Sequence, residues 1–264
     1  MNIGFIGLGN MAKAMIGGIL KKNLVSPEDI IGSSATEKTR SKMAETFGIQ
    51  VRDSNAQVAK EADVIFLAVK PQYLKVVIAD IMDDVTDEKL FISVAAGKTI
   101  KWLEEEFEKP VKIIRAMPNT PALVGEGCTA ICRNELVTED ELKFAVEVFE
   151  SFGKASMINE NLMDVFGAIS GSSPAYAFMF IEAMADAAVE GGMPRKQAYQ
   201  FAAQSLLGSA KMVLETGKHP GELKDMVCSP AGTTIAAVRT LEEEGFRGAV
   251  IDAVKACIDK TKQI

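Results

Sequence analysis

The chain has 264 residues, 48% hydrophobic and 25% charged, which is the composition of an ordinary folded protein and excludes disorder and collagen-like repeats. This length suits two modest domains, each able to bury a core. A net charge of −7 leaves no general basic field for a nucleic-acid backbone, so a small-molecule ligand is expected and nucleic acid is not.

The chain opens on an apolar strand over residues 2–6, followed at once by Gly7-Leu8-Gly9-Asn10-Met11-Ala12 and a helix over 11–20. A G-x-G-x-x-A turn that leaves a strand and enters a helix is the dinucleotide fingerprint. Gly7 permits the tight turn, Gly9 lets the backbone approach a pyrophosphate, and Ala12 keeps the helix against the strand. The free N–H groups and positive dipole end of that helix receive the phosphates. The first apolar run is short, lacks a basic leader and is cut by the glycine turn, so no signal peptide and a cytoplasmic location are expected.

Further strands are predicted over 30–33, 64–67, 90–93, 111–115 and 128–132, with helices over 38–47, 54–61, 101–107 and 138–152. The last helix starts with the capping box Thr138-Glu139-Asp140-Glu141. This alternation predicts an α/β fold whose N-terminal part is a Rossmann-type, doubly wound parallel sheet. Cofactor preference is set at the end of the second strand, where Ser33, Ser34 and Thr36 precede Lys38 and Arg40. Hydroxyls and cations suit a 2′-phosphate, so NADPH is expected over NADH. Glu37 offers the acidic group of an NADH site and keeps NADH open.

Three loops follow predicted strands: Ala68-Val69-Lys70-Pro71, Val94-Ala95-Ala96-Gly97 and Met117-Pro118-Asn119-Thr120-Pro121. Ligands of open α/β sheets bind outside the carboxyl ends of the strands, so these loops are expected to converge on the crevice of the glycine turn.

Beyond Asn159 no β-rich run appears, which places a boundary between a dinucleotide-binding domain, residues 1–159, and an all-helical domain, residues 160–264. Ser173-Pro174 reads as N-cap and first helical residue of a helix that ends at Gly191-Gly192, and Pro194 opens another that ends near Gly217. Glu182, Asp186 and Glu190 draw a polar stripe down the first of these, which argues against a membrane span. Both helices are rich in alanine and methionine and apolar on more than one face, so a homodimer is expected to bury them, with burial against the chain's own first domain as the alternative. Two hydroxyl-bearing segments, 170–176 and 229–234, feed helix N-termini and suit a carboxylate. The second is the better anion nest, because Gly232, Thr233 and Thr234 offer consecutive N–H groups. His219, in His-Pro-Gly, reads as a turn residue ahead of an acid. The 4 cysteines and 1 histidine form no zinc pattern, and no metal is expected.

Taken together, these segments resemble pyrroline-5-carboxylate reductase along essentially the whole chain. The resemblance rests on residues 5–12, 68–71, 117–121 and 170–176, and on His219-Pro220-Gly221 with Leu223-Lys224-Asp225, Ser229-Pro230 and Thr233-Thr234-Ile235. It implies NAD(P)H-dependent reduction of the cyclic imine of 1-pyrroline-5-carboxylate to L-proline, the last step of proline biosynthesis. A Rossmann domain followed by an all-α dimerisation domain is implied too, with the active site between the cofactor domain and helices of the dimer. Relatives assemble further, into decamers of five dimers. The resemblance assigns the cofactor to Gly7, Leu8, Gly9, Asn10 and Met11, to Ser34 and Asn55, to Ala68, Val69, Lys70 and Pro71, and to Val94, Ala95 and Ala96. The strand-end reading adds Ser33 and Asn119. The substrate carboxylate falls to Ser229, Thr233 and Thr234, beside Gly232 of the nest.

Two departures from the family pattern stand at Ser173 and Ala231, each where glycine is usual. If either position needs a positive φ, its side chain costs on the order of 1 kcal/mol. A protonated imine is already electrophilic, so the protein's main task is positioning. If a neutral imine binds, Thr234 is the candidate catalytic proton relay, and Met226 is given no role. A β-hydroxyacid dehydrogenase of the same build needs a lysine base after the first domain, and residues 167–176 contain none. A non-catalytic NADP sensor is opposed by the intact nest.

Overall fold

The computed structural model describes residues 1–262, which fall into two compact units: Met1–Ser172 together with the chain from Ile258, and Ser173–Cys257. The first unit is built on one sheet. Its strands are β1 (Ile3–Ile6), β2 (Ile30–Ser33), β3 (Gln50–Arg52), β4 (Val64–Leu67), β5 (Leu90–Ser93), β6 (Lys112–Met117), β7 (Gly127–Arg133) and β8 (Gly153–Met157). They lie in the order β3-β2-β1-β4-β5-β6-β7-β8. Its helices are α1 (Asn10–Lys21), α2 (Glu37–Phe47), α3 (Asn55–Glu61), α4 (Leu74–Ile81), α5 (Ile100–Phe107), α6 (Glu139–Glu150) and the single turn α7 (Met163–Phe166).

Strands β1 to β6 run parallel, and the chain order reverses between β1 and β4, which puts the switch point at the glycine turn. Strands β1, β2, β4 and β5 are buried on both faces, the reason their sequences are almost wholly apolar, with the buried Ser33 and Ser93 at the ends of β2 and β5. Alternate residues feed two core layers. Phe5, Ile16, Phe66 and Phe149 fill one, and Leu67, Phe91, Phe107 and Ile113 fill the other. The rings of Phe5 and Phe66 stack at 4.7 Å across β1 and β4.

The expected all-parallel sheet is corrected at one edge. Strand β7 runs antiparallel to β6, and β8 runs parallel to β7. The connection over 118–126 holds only the short 3-10 turn Thr120–Val124, too little chain for a parallel crossover. Strands β3 and β8 and helix α4 were absent from the predicted elements. Both strands are short or polar edge strands with little burial, so they carry no apolar run to find.

The second unit holds α8 (Ser173–Glu190), α9 (Arg195–Thr216), α10 (Pro220–Val227), α11 (Thr233–Glu243) and most of α12 (Phe246–Thr261). The expectation that Ser173 is an N-cap is corrected. A π turn over Gly167–Gly171 precedes it, Ser172 stays in the right-handed helical region at φ −96° and ψ −29°, and the Ser172 N–H bonds Gly167 O at 3.0 Å. Segment 170–176 therefore runs from the π turn through Ser172 into α8, with Ser173 inside the helix. Pro194 is the extended residue before α9, and Gly217 closes that helix at φ +63°. Across α8 and α9 only Ala185, Ala198 and Ala202 are buried, whereas Phe178 is 64% and Leu214 83% exposed. Among the described residues no helix is long and apolar enough to cross a membrane.

Candidate active site

The glycine turn has the geometry its sequence asks for. Gly7 sits at φ +98°, gives its N–H to Ser33 O at 3.0 Å, and a Cβ there would stand 2.6 Å from Ala68 O. Both the backbone conformation and the neighbouring carbonyl exclude a side chain. Gly9 is the extended residue before α1 and no side chain caps that helix. A Cβ built on Gly9 meets nothing within 4 Å, so its outer side is open. Leu8, Gly9 and Gly7 border a cavity of about 760 Å³ that also takes in Ser34, Asn55, Ala68, Val69 and Lys70. Free helix-start amides beside an open glycine in a cavity of that size fit a dinucleotide pyrophosphate. Met11 turns its side chain to the core, leaving its backbone for any ligand.

At the end of β2 the hydroxyls divide their tasks. Ser33 is 1% exposed and donates to Asn55 Oδ1 at 2.8 Å, while Asn55 Nδ2 reaches Asp80 at 3.2 Å. Ser33 thus holds Asn55, and Ser34 borders the cavity. Thr36 caps α2 by accepting from the Thr39 N–H. Arg40 donates to Ser34 O at 2.7 Å and pairs with Asp53 at 3.0 Å, so its guanidinium is already engaged.

The β4 loop is tied to β1 by the Ala68 N–H to Ile6 O bond at 2.8 Å, and Lys70 is extended before the 3-10 turn Pro71–Tyr73. After β5, Ser93 accepts from the Ala95 N–H at 3.4 Å, Val94 and Ala96 are half-buried, and Gly97 turns the chain at φ +74°. The helix that follows is pinned by a group the sequence reading did not single out. Glu160 Oε1 accepts the Ile100 N–H of α5 at 2.7 Å and Arg115 at 3.0 Å, and Arg115, 6% exposed, also reaches Asp164 at 3.5 Å. The available signal was one arginine inside the apolar run of β6. Burial pushes the neighbouring Cys132 thiol up to about 12, with Glu160 adding and Arg115 opposing, so this cysteine stays a packed thiol.

Asn119 has both ends of its side chain engaged: Oδ1 accepts from Cys128 N–H at 2.8 Å, and Nδ2 donates to Ser170 O at 3.1 Å. It fastens the β6 loop to β7 and to the π turn, where Ser170 Oγ returns a bond to Cys128 O.

In the second unit, Ser229-Pro230-Ala231-Gly232 closes through the Gly232 N–H to Ser229 O bond at 3.0 Å, with Ala231 at φ +56°. Proline second and a positive φ third are the marks of a type II turn. Gly232 is then the extended residue before α11, again with no side-chain cap. A Cβ on Gly232 would lie 2.3 Å from Ser229 Oγ, so only glycine lets that hydroxyl sit at the helix start. The Gly232 N–H is used inside the turn, and the amides left open at the start of α11 begin with Thr233 and Thr234. His219 caps α10, its Nδ1 accepting from the Gly221 N–H at 3.0 Å, as the turn reading expects.

A switch-point crevice that fits a dinucleotide and a helical unit with a second glycine-led, uncapped helix start are the two parts of a nicotinamide-dependent oxidoreductase. Residues 2–97 match the family described as NADP oxidoreductase coenzyme F420-dependent, and residues 160–264 match the one described as pyrroline-5-carboxylate reductase dimerisation. The chain is 51% identical over 262 residues to pyrroline-5-carboxylate reductase of Escherichia coli (strain K12), covering 99% of this chain and 97% of that one. It is 45% identical over 262 residues to that of Methanosarcina acetivorans, at the same 99% and 97% coverage. The solved structure of Plasmodium falciparum pyrroline carboxylate reductase with NADP bound superposes with a TM-score of 0.92 at 35% identity, covering 100% of this chain and 97% of that one. The chain belongs to the pyrroline-5-carboxylate reductase family.

Proposed function

We propose that this protein reduces 1-pyrroline-5-carboxylate to L-proline with NADPH, as an oxidoreductase acting on a cyclic imine. One observation carries the reading beyond family membership. Helices α2, α3, α5 and α6 are capped by Thr36, Ser54, Thr99 and Thr138, whereas α1 and α11 start at glycines with no side-chain cap. Helices α4, α7 and α9 also start without a side-chain cap, but α4 and α7 continue directly from 3-10 turns and α9 follows Pro194, so none of them starts at a glycine. Two helix starts left open for anions match the two anionic groups of the reaction, a pyrophosphate and a carboxylate.

NADPH, when bound, supplies the hydride. The amides of α1 hold its pyrophosphate, with Gly7, Leu8, Gly9 and Asn10 at the turn, and Ser34, Asn55 and the loop after β4 border its remainder, while the loop after β5 does not line that cavity and is assigned to the cofactor by the family resemblance alone. Ser229 Oγ and the amides and hydroxyls of Thr233 and Thr234 hold the substrate carboxylate, which stops the ring from turning. Thr234 holds a proton for the imine nitrogen when the imine binds neutral.

We assign cofactor binding to residues 1–159 and substrate binding with dimerisation to 160–264; the family match over 160–264 supports self-association. Assembly of five dimers into a decamer rests on the family resemblance. A cytoplasmic location is supported by four free cysteines. The deciding assay follows NADPH loss with pyrroline-5-carboxylate and identifies proline as product. Cofactor binding without turnover of this imine would sink the reductase reading and leave the dinucleotide site standing.

A further inference from the structure

The crevice at the glycine turn has a second chamber. Beyond Leu8, Gly9 and Ser34, bordered by α1 and α2, lies a cavity of about 450 Å³ whose walls carry Lys13, Lys38 and Lys42. The two chambers share Leu8, Gly9 and Ser34 but differ in charge. The first carries Asp53 and Asp80 beside Lys70, and the second carries three lysines and, among the described residues, no carboxylate. Lys38 and Lys42 are one turn apart on α2 and share a face, while Lys13 comes from the second turn of α1. Among the described residues none of the three ammonium groups has a hydrogen-bond or ion-pair partner. The remaining cation of the segment, Arg40, is held by Ser34 O and Asp53.

Three uncompensated cations around one cavity, in a chain of net charge −7, repel one another and form a local field for an anion. The adenosine ribose of a dinucleotide lies at the end of the second strand, here Ser34, and its 2′ position is where NADPH differs from NADH. A phosphate monoester brings close to two negative charges and three strong acceptor oxygens. We propose that Lys13, Lys38 and Lys42 together receive the 2′-phosphate of NADPH, and that this chamber sets the cofactor preference. Arg40 is a positioning residue that holds the Ser34 loop. The proposal rests on the crevice being the dinucleotide site.

The test is equilibrium binding of 2′,5′-ADP and 5′-AMP to the purified protein by calorimetry, which needs no turnover. The wild type should bind 2′,5′-ADP about tenfold or more tighter than 5′-AMP at low salt, with the margin shrinking toward about 1 M salt as screening grows. Lys13→Gln and Lys42→Gln should each weaken 2′,5′-ADP by about threefold to tenfold and leave 5′-AMP unchanged. All three lysines are exposed, so these variants should keep the fold. Arg40→Gln should weaken both nucleotides. Lysine variants that bind 2′,5′-ADP like the wild type, or that lose both nucleotides equally, overturn the proposal and leave the dinucleotide site intact. A wild type that binds neither nucleotide overturns that site as well.

Discussion

Ala231 carries a left-handed backbone, φ +56°, at the third position of a turn that favours glycine there, while Ser173, the other departure from the family pattern, is an ordinary helical residue. The same replacement therefore has opposite signs at the two sites. Ala231→Gly should stabilise the protein by about 0.5–1 kcal/mol through relief of the strained φ, and Ser173→Gly should destabilise it by about 0.5 kcal/mol through lost helix propensity. Urea midpoints of the two variants check both signs. At Thr234, alanine removes the hydroxyl proposed to hold a proton. The kcat of Thr234→Ala should fall most at alkaline pH, where the imine is neutral, and serine should restore it. Full alkaline kcat in the alanine variant would take Thr234 out of the chemistry.

Two elements of the first unit depend on carboxylates that pin a helix start. Glu160 joins the first amide of α5 to the buried Arg115, and so steadies the loop that carries Ala95 and Ala96. Glu160→Ala leaves a guanidinium that is 6% exposed with Asp164 at 3.5 Å as its remaining carboxylate partner, and a loss of about 3 kcal/mol is expected by chemical denaturation. Glu160→Gln keeps an acceptor for Ile100 and should lose less. Glu141 closes the capping box of α6 with Thr138 and pairs with Lys112 at 2.7 Å. Burial raises its pKa, but the hydrogen bonds from Lys112 and Thr138 and the Lys112 charge outweigh that, and the folded value is lowered. Its contribution is therefore full above the unfolded carboxylate value of about 4.3 and is lost as the pH falls through the folded value. Stability of the wild type should decline in that acid window more steeply than that of Glu141→Gln, as denaturation at pH 7 and pH 4 will show.

For the whole molecule, the decisive quantity is the apolar surface that the second unit leaves open. Phe178, Met179, Phe201 and Leu214 are all more than half exposed, beyond what an isolated helical unit keeps in water. Light scattering after gel filtration should give at least twice the 28.4 kDa chain mass. Leu214→Glu, at a site 83% exposed in the single chain, should shift the protein toward monomer and lower its melting temperature if that surface is the subunit contact. A dimer unaffected by this charge would place the contact elsewhere.

Much of this architecture is local and was legible without coordinates. The apolar runs of β1, β2, β4 and β5, the glycine turn and the capping box at Thr138 each follow from interactions within a few residues or from burial on both faces of a sheet. Their periodicity is written in the residues themselves. Partners that meet only after folding were not legible. Asn119 reaches Cys128 and Ser170, Arg115 reaches Glu160, and Arg40 turns back to Ser34 and Asp53, because long side chains choose partners by distance in space. The antiparallel β7, the helical backbone at Ser172 and the left-handed Ala231 were likewise decided by packing and chain closure. The sequence by itself determined the class of fold, the two glycine-led turns at uncapped helix starts and the family. The tertiary structure decided which cations are already taken and which remain open, because desolvation and pairing depend on neighbours that linear order does not specify.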